Sequence, residues 1–299
     1  MKNLTWQNPE QLFVAQVLIN KVKSKCCGIK VNMKSNISLL AIILIALFAT
    51  SCSKKKTWVE TNGMKGNVIS FTDTTWYATD KFGEVHKEWM ENYTKVELND
   101  NGQIIAITKY DKYGDIEEKT VQEWKDKYTI SSATYYNDEG NATRKESYKF
   151  DGDKVASVII SDYSDNSEEV LSYSYENDRL SKIVGKKKGK TRTITFTYIG
   201  DNNSYKQVEV DYDGSKTEST SYFDSDERLV KWLYGGDKYT YQYGKNGLLE
   251  KSTYFNFVNT FEYKFDTKGN WIERVEREKW AKEKVKIKSL VVRNIEYNK

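Results

Sequence analysis

The sequence contains few of the residues that metal sites and nucleophilic active sites require. Among 299 residues there are one histidine, His86, and three cysteines, Cys26, Cys27 and Cys52. A zinc site normally needs several histidine or cysteine ligands, and a Ser-His-Asp triad would depend on His86 alone. No cysteine follows Cys52, so no disulfide can cross-link the rest of the chain. The sequence therefore predicts no metal, no cofactor and no catalytic residue.

Proline is also nearly absent, and the remaining composition is that of a β protein. The single proline, Pro9, lies before Cys52, whereas all 22 tyrosines lie after it. Tyrosine, threonine and serine alternate there with glycine, asparagine and aspartate. Aromatic and β-branched residues favour strands, and Gly, Asn and Asp favour turns. The length fits one large β domain or two.

Positive charge is concentrated in the first part of the chain. Residues 1–52 hold six lysines and one glutamate, which leaves 41 basic and 42 acidic residues after Cys52. A nucleic-acid-binding surface needs a basic stripe, because phosphate neutralisation supplies most of its affinity. The local cluster of Lys186–Lys188 with Lys190 and Arg192 lies beside a glycine turn and predicts a solvated hairpin tip. We expect no nucleic-acid partner.

Residues 33–52 have the pattern of a secretory signal that ends in a cysteine. Met33 and Lys34 precede an apolar run of about a dozen residues, and Ala49-Thr-Ser-Cys52 follows. This segment resembles a bacterial lipoprotein signal. The resemblance implies transfer of a diacylglyceryl group to the Cys52 thiol, cleavage before Cys52 and acylation of the new amine. Two or more acyl chains anchor a protein stably, so the membrane is a predicted partner through Cys52.

These patterns divide the chain into four parts. Residues 1–32 differ in composition from the remainder of the chain and predict an upstream extension, with translation beginning at Met33. Residues 33–51 are the predicted signal peptide, residues 52–65 a tether and residues 66–299 the β domain. Surface-displayed lipoproteins of Bacteroidota often carry acidic residues just after the cysteine, whereas Lys54–Lys56 occupy that place here. We therefore predict a cell-envelope protein anchored in the outer membrane and facing the periplasm.

A short unit recurs between residues 96 and 271. It consists of aromatic-x-aromatic, a turn of Asp, Asn or Gly, and an aliphatic residue or tryptophan, and its clearest copy runs from Tyr263 to Trp271. The other copies are residues 110–116, 148–155, 173–180, 222–229 and 241–248. Aromatic and polar residues alternate within strands, which places the rings on one face of an antiparallel sheet. Turns about 9 to 13 residues apart predict roughly 16 to 20 strands.

A sheet of so many strands must enclose its aromatic face, since open sheets beyond about 10 strands curl or split. The sequence therefore predicts an all-β fold, a curled antiparallel β-meander of hairpin repeats. Its expected form is a coiled sheet, a half-open barrel or a sandwich. Residues 273–284 alternate in charge and predict a charged hairpin loop, with a helix as the alternative, before a last strand at residues 285–297.

The recurring unit resembles the YD repeats of the Rhs family. The dipeptide that carries the resemblance appears, with Tyr or Phe as its first residue, at 110–111, 150–151, 223–224 and 265–266. In that family the repeats are β-hairpins that wind into a curled sheet or a closed shell, and we expect a curled sheet here because the copies are too few for a full shell. The chain is more similar to uncharacterised Bacteroidota lipoproteins built from such repeats.

Tryptophans supply the candidate binding residues. Tryptophans normally fill the core, and Trp76, Trp124 and Trp280, whose neighbours are polar, are the candidates for exposed rings that stack on a sugar or a protein partner. The predicted function is a non-enzymatic, lipid-anchored scaffold or binding module for protein or glycan. The alternative is a carbohydrate hydrolase with paired carboxylates in a groove.

Overall fold

The computed structural model describes residues 57–200 and 203–298, which form one short helix and 18 strands. The helix is α1 (Trp58–Thr61). The strands are β1 (Val68–Lys81), β2 (Glu84–Leu98), β3 (Ile104–Asp111), β4 (Ile116–Trp124), β5 (Ile130–Tyr136), β6 (Ala142–Asp151), β7 (Lys154–Asp162), β8 (Ser167–Glu176), β9 (Arg179–Lys187), β10 (Lys190–Ile199), β11 (Ser204–Val210), β12 (Lys216–Phe223), β13 (Leu229–Tyr234), β14 (Asp237–Tyr243), β15 (Leu249–Tyr254), β16 (Phe257–Phe265), β17 (Trp271–Trp280) and β18 (Lys286–Tyr297).

Each strand pairs antiparallel with the next, and β18 returns to pair with β1. At this seam Asp73 lies opposite Arg293, and the guanidinium donates from Nε and Nη2 to both carboxylate oxygens at 2.6 Å. The all-β antiparallel meander is confirmed, and 18 strands fall within the predicted range. The half-open form is corrected, because the barrel closes. Closure pairs both edge strands, a long-range contact that the pattern within a strand does not encode.

The two ends of the barrel differ in what they carry. The end that carries α1 and the last described residue, Asn298, is called the lower end. There the backbone N–H of Val59 donates to the carbonyl of Gly102 at 3.0 Å, and that of Asn298 to the carbonyl of Asn67 at 2.8 Å. The upper end carries the nine turns from each odd-numbered strand to the next even-numbered one. Five of the six copies of the recurring unit turn at the lower end.

Side chains within each turn determine its shape, as the copy at Tyr263–Trp271 shows. The Asp266 Oδ1 accepts hydrogen bonds from the backbone N–H groups of Lys268 and Asn270 at 2.9 and 2.8 Å. Gly269 has φ +84°, a left-handed conformation that glycine adopts without steric cost. The pairing register then shifts between Lys264 and Phe265. Such a bulge bends the strand and increases its twist, which helps a meander to curl.

Tyrosine hydroxyls connect neighbouring strands at the lower end. Tyr243 donates to the carbonyl of Leu229 at 3.0 Å, and Tyr263 donates to that of Leu249 at 2.9 Å. Tyr175 makes the same bond to the carbonyl of Val155 at 3.0 Å. In each case the acceptor belongs to the aliphatic position just after the turn. The repeated sequence thus produces a repeated hydrogen bond.

The predicted alternation of faces is confirmed. On β8, β9 and β10 the side chains of Leu171, Ile183 and Ile194 face the interior and are at most 1% exposed. The intervening Ser172 and Thr195 lie on the outside and are exposed. The aromatic side of the sheet is therefore the inside of the barrel.

Four apolar clusters are formed by the described residues. Three line the interior: one around Leu171 on β6–β11, one around Tyr241 on β13–β16, and one around Phe71 on β1–β3 and β18. The fourth contains Val275 and Leu290 and lies on the outside of β17, β18 and β1. Each cluster joins neighbouring strands, so the apolar side chains pack along the wall of the barrel.

The tail differs from its predicted loop. Residues 273–280 belong to β17, and the turn lies at 281–285, just before β18. The charges that suggested a loop are partly inside, since Arg274 and Glu276 are buried on the inner face. Among the helices of residues 57–298 that the structure describes, none has the length and apolarity to cross a membrane.

Candidate binding site at the upper mouth of the barrel

The inner face near the upper end divides into two arcs of different chemistry. The register places aromatic rings on the inner face of β13–β17, β1 and β2. It places ionisable side chains on the inner face of β6–β11. We call these the aromatic arc and the ionic arc. Both line the upper mouth.

The aromatic arc is built from rings stacked both along one strand and across neighbouring strands. Trp232 stacks on Tyr234 at a centroid distance of 5.1 Å and contacts Tyr239 at 4.9 Å, and Tyr239 stacks on Tyr254 at 4.3 Å. Cross-strand aromatic pairs of this kind stabilise a sheet by roughly 0.2–1 kcal/mol each. The stacked rings of β13–β15 therefore hold one another in place.

The arc continues on the far side of β15. Phe257 stacks on Trp280 at 5.8 Å, and Tyr77 stacks on Trp89 at 4.1 Å. The rings at the ends of these stacks are open to solvent: Trp89 is 55% exposed, Trp280 48% and Tyr234 39%. A ring with one face packed and the other open can stack on a ligand without reorganisation.

The ionic arc contains two buried clusters. In the first, Arg144 and the Tyr148 hydroxyl both bond the carboxylate of Glu146, which is 1% exposed. Burial raises the pKa of the Tyr148 hydroxyl, and the neighbouring Glu146 charge adds to the effect. Arg144 thus neutralises a carboxylate that water does not reach.

The second cluster surrounds Arg192. Its Nε lies 3.6 Å from Oε1 of Glu209, and the Tyr212 hydroxyl donates to Oε1 of Glu169 at 2.6 Å. A Cβ added to Gly185 on β9 would lie 2.9 Å from the same Glu169 oxygen. The missing side chain therefore leaves room for the Glu169 carboxylate against the backbone of β9. Burial raises the pKa of Glu209, an effect that Arg192 opposes. Within the described residues Nη2 of Arg192 is buried without a hydrogen-bond partner.

The three predicted tryptophans lie apart from one another. Trp280 belongs to the aromatic arc. Trp76 is half-buried on the outside, with Nζ of Lys87 5.3 Å from its ring centroid. Trp124 lies at the lower end, where its indole N–H donates to the carbonyl of Ile104 at 2.7 Å. The predicted lipid site, Cys52, lies outside the described residues.

Sequence reasoning missed the rest of the mouth. Trp89 and the ladder on β13–β15 could have been found from turn spacing, which places them next to upper turns. Glu169 lies two positions before Leu171 on the same strand, and residues two apart share a face of the sheet, so the sequence pattern places its carboxylate inward. His86 is on β2 with Nε2 3.8 Å from Oε2 of Glu84. No group of three or more His, Cys, Asp or Glu in the described part of the chain is placed to hold a metal ion.

Comparisons with known proteins give likenesses in structure alone. No family model matches the chain, and no curated protein matches it. A porin-like protein from Bacteroides uniformis is 14% identical with a TM-score of 0.41, and the match covers 78% of this chain and 98% of that one. A porin-like protein from Bacteroides vulgatus is 12% identical with a TM-score of 0.20 and covers 77% and 98%. The TcdB2-TccC3-TEV structure is 9% identical with a TM-score of 0.19 and covers 71% and 16%.

These TM-scores are low, so the proposed function depends on the residues of the chain itself. The resemblance of the recurring unit to YD repeats stays a prediction.

Proposed function

We propose that the protein is a non-enzymatic barrel of the cell envelope, lipid-anchored at Cys52 and facing the periplasm, that binds a protein or glycan partner at its upper mouth. The observation that carries the proposal is the aromatic arc, whose end rings are open while their neighbours hold them rigid. Aromatic side chains dominate contact energies at protein interfaces and provide flat faces for sugars. A preorganised ring loses little entropy on binding.

The outside of the barrel supports attachment through a lipid. Ser172, Ser174 and Thr197 on the outer face of β8 and β10 are exposed. Transmembrane barrels have the opposite alternation, with an apolar band outside. The described chain begins at Thr57, five positions after Cys52, so a lipid there would hold the lower end close to the bilayer.

The experiment probes the mouth with the full chain on an array of envelope polysaccharides and, in parallel, with solubilised envelope proteins. Tyr234→Ser removes an open end ring and should weaken capture at least about tenfold, the usual effect of losing an interface aromatic. The matched control is Phe265→Ser, which removes a 44% exposed ring at the lower end and should leave capture unchanged. Equal capture by both variants and the wild type would contradict the proposal.

A second candidate function has one observation in its favour. Glu169 is buried and Glu209 is half-buried in one cluster, and their environments differ, since a tyrosine donates to the first and burial raises the pKa of the second. Such pairs divide the roles of acid and base in glycoside hydrolysis. Release of reducing ends from an envelope polysaccharide, lost in Glu209→Gln, would favour a carbohydrate hydrolase over the binding role.

A further inference from the structure

Three neighbouring upper turns carry apolar side chains that contact little of the barrel. Phe255 is 73% exposed in the β15–β16 turn, Val285 is 54% exposed in the β17–β18 turn, and Phe82 is fully exposed in the β1–β2 turn. The turns are adjacent because β16 pairs with β17 and β18 pairs with β1. We call these three residues the crest. No described lower turn exposes a ring to this degree.

The backbone at the crest is strained. Phe82 has φ +58° and Phe255 has φ +52°, in the left-handed region where a bulky residue is an outlier and Asn or Gly is usual. The ring of Phe255 contacts that of Tyr254 at 6.4 Å, but both phenylalanine rings are mostly exposed, so the folded barrel gains little packing in return. Such outliers cluster at functional positions, and an external partner explains why phenylalanine occupies them.

The surroundings of the crest indicate the kind of partner. Residues 279–286 contain four lysines and one glutamate, a net charge of +3, and all are exposed. Trp280 ends β17 next to the crest and Trp89 lies further down β2, and both rings are on the inner face, at the rim of the upper mouth. Phenylalanines at the tips, tryptophans beneath and lysines beside them match the layers of a bilayer interface with anionic head groups.

We propose that the crest inserts into an anionic phospholipid surface. Because a lipid at Cys52 would hold the lower end, the crest at the upper end reaches the same bilayer when the barrel lies with one wall along it, a geometry that rests on the proposed lipid at Cys52. Residues 59–65 lie on the same wall as the crest, since Val59 bonds the β2–β3 turn and the Lys65 N–H donates to Oδ1 of Asn270 in the β16–β17 turn at 2.8 Å.

The test uses the full chain in vesicles of phosphatidylethanolamine and phosphatidylglycerol whose acyl chains carry bromine, a short-range quencher of tryptophan fluorescence. Insertion should quench the fluorescence of Trp89 and Trp280. The variants Trp89→Phe and Trp280→Phe measure how much of the fluorescence loss comes from each of the two tryptophans. The double variant Phe82→Asn/Phe255→Asn should remove most of that share. Asparagine tolerates the left-handed backbone, so the double variant should melt no lower than the wild type.

The matched control is Tyr113→Asn, which removes a 77% exposed ring from an upper turn outside the crest and should leave quenching unchanged. Replacing phosphatidylglycerol with phosphatidylcholine should weaken it. Quenching that persists in the double variant would overturn the proposal. So would an unquenched wild type whose crest is needed to capture a soluble envelope protein. If Tyr234→Ser loses capture of its partner while lipid quenching stays intact, partner binding at the mouth and lipid insertion at the crest are two independent functions.

Discussion

Two tyrosines on one strand should respond to the same substitution with opposite signs. Tyr241 and Tyr243 both face the interior from β14. The Tyr243 hydroxyl donates to the carbonyl of Leu229 at 3.0 Å. The Tyr241 hydroxyl is buried and has no hydrogen-bond partner among the described residues. Replacing either residue with phenylalanine removes one oxygen and leaves the ring in place.

The magnitudes follow from what each oxygen does. A net hydrogen bond contributes about 0.5–1.5 kcal/mol, and its loss also leaves the carbonyl of Leu229 without this donor, so Tyr243→Phe should lower the free energy of unfolding by about 1 kcal/mol. Burying an unpaired hydroxyl costs about 1–3 kcal/mol in proteins, so Tyr241→Phe should raise the free energy of unfolding by about 1 kcal/mol. The two variants should therefore differ by about 2 kcal/mol.

Urea unfolding of the full chain, followed by tryptophan fluorescence, measures the difference, provided that the urea dependence is equal in both variants. Tyr175→Phe, which loses the bond to the carbonyl of Val155, should repeat the result for Tyr243. If Tyr241→Phe destabilises the barrel as much as Tyr243→Phe does, the hydrogen-bond reasoning is refuted.

Two further substitutions test the packing and the charges. Gly185→Ala should lower the free energy of unfolding by about 1–3 kcal/mol, because its Cβ would lie 2.9 Å from Oε1 of Glu169; a gain, as at an unhindered glycine, would contradict this. Hydrogen bonds from Lys206 and Lys216 lower the pKa of Glu218 to about 2, so its stabilisation is present above the ordinary value of 4.5 and lost as the pH falls through 2. Wild type and Glu218→Gln should therefore differ in Tm at pH 7 and converge near pH 2, and a constant difference would argue against the linkage.

Local features of the fold could be predicted from the sequence, whereas its closure could not. Alternating rings and turn residues report on one hairpin at a time, so the strands and the buried face were accessible. Closure depends on pairs such as Asp73 with Arg293, which no local pattern connects. The strand at residues 273–280 was missed because charge suggests solvent, yet Arg274 and Glu276 face inward.

The candidate site was predicted only in part for a similar reason. Polar neighbours selected Trp280, which is in the aromatic arc, but also Trp124, whose indole N–H is bonded inside the molecule. Exposure depends on the strand face and on the end of the barrel, and neighbours along the chain do not determine either. The crest residues Phe82 and Phe255 were not predicted either, and they occupy turn positions where the backbone favours asparagine or glycine.

The seam between the first and last strands also limits how the protein can mature. Ser70 bonds Glu296 across 226 positions of sequence, so β1 lacks this partner until residue 296 has been synthesised. Until β18 arrives, the nascent sheet has two open edges, which recruit other strands. Loss of residues 286–297 would therefore leave an open sheet with two unpaired edge strands that can pair with other chains. Closure of the barrel thus depends on the twelve-residue strand β18.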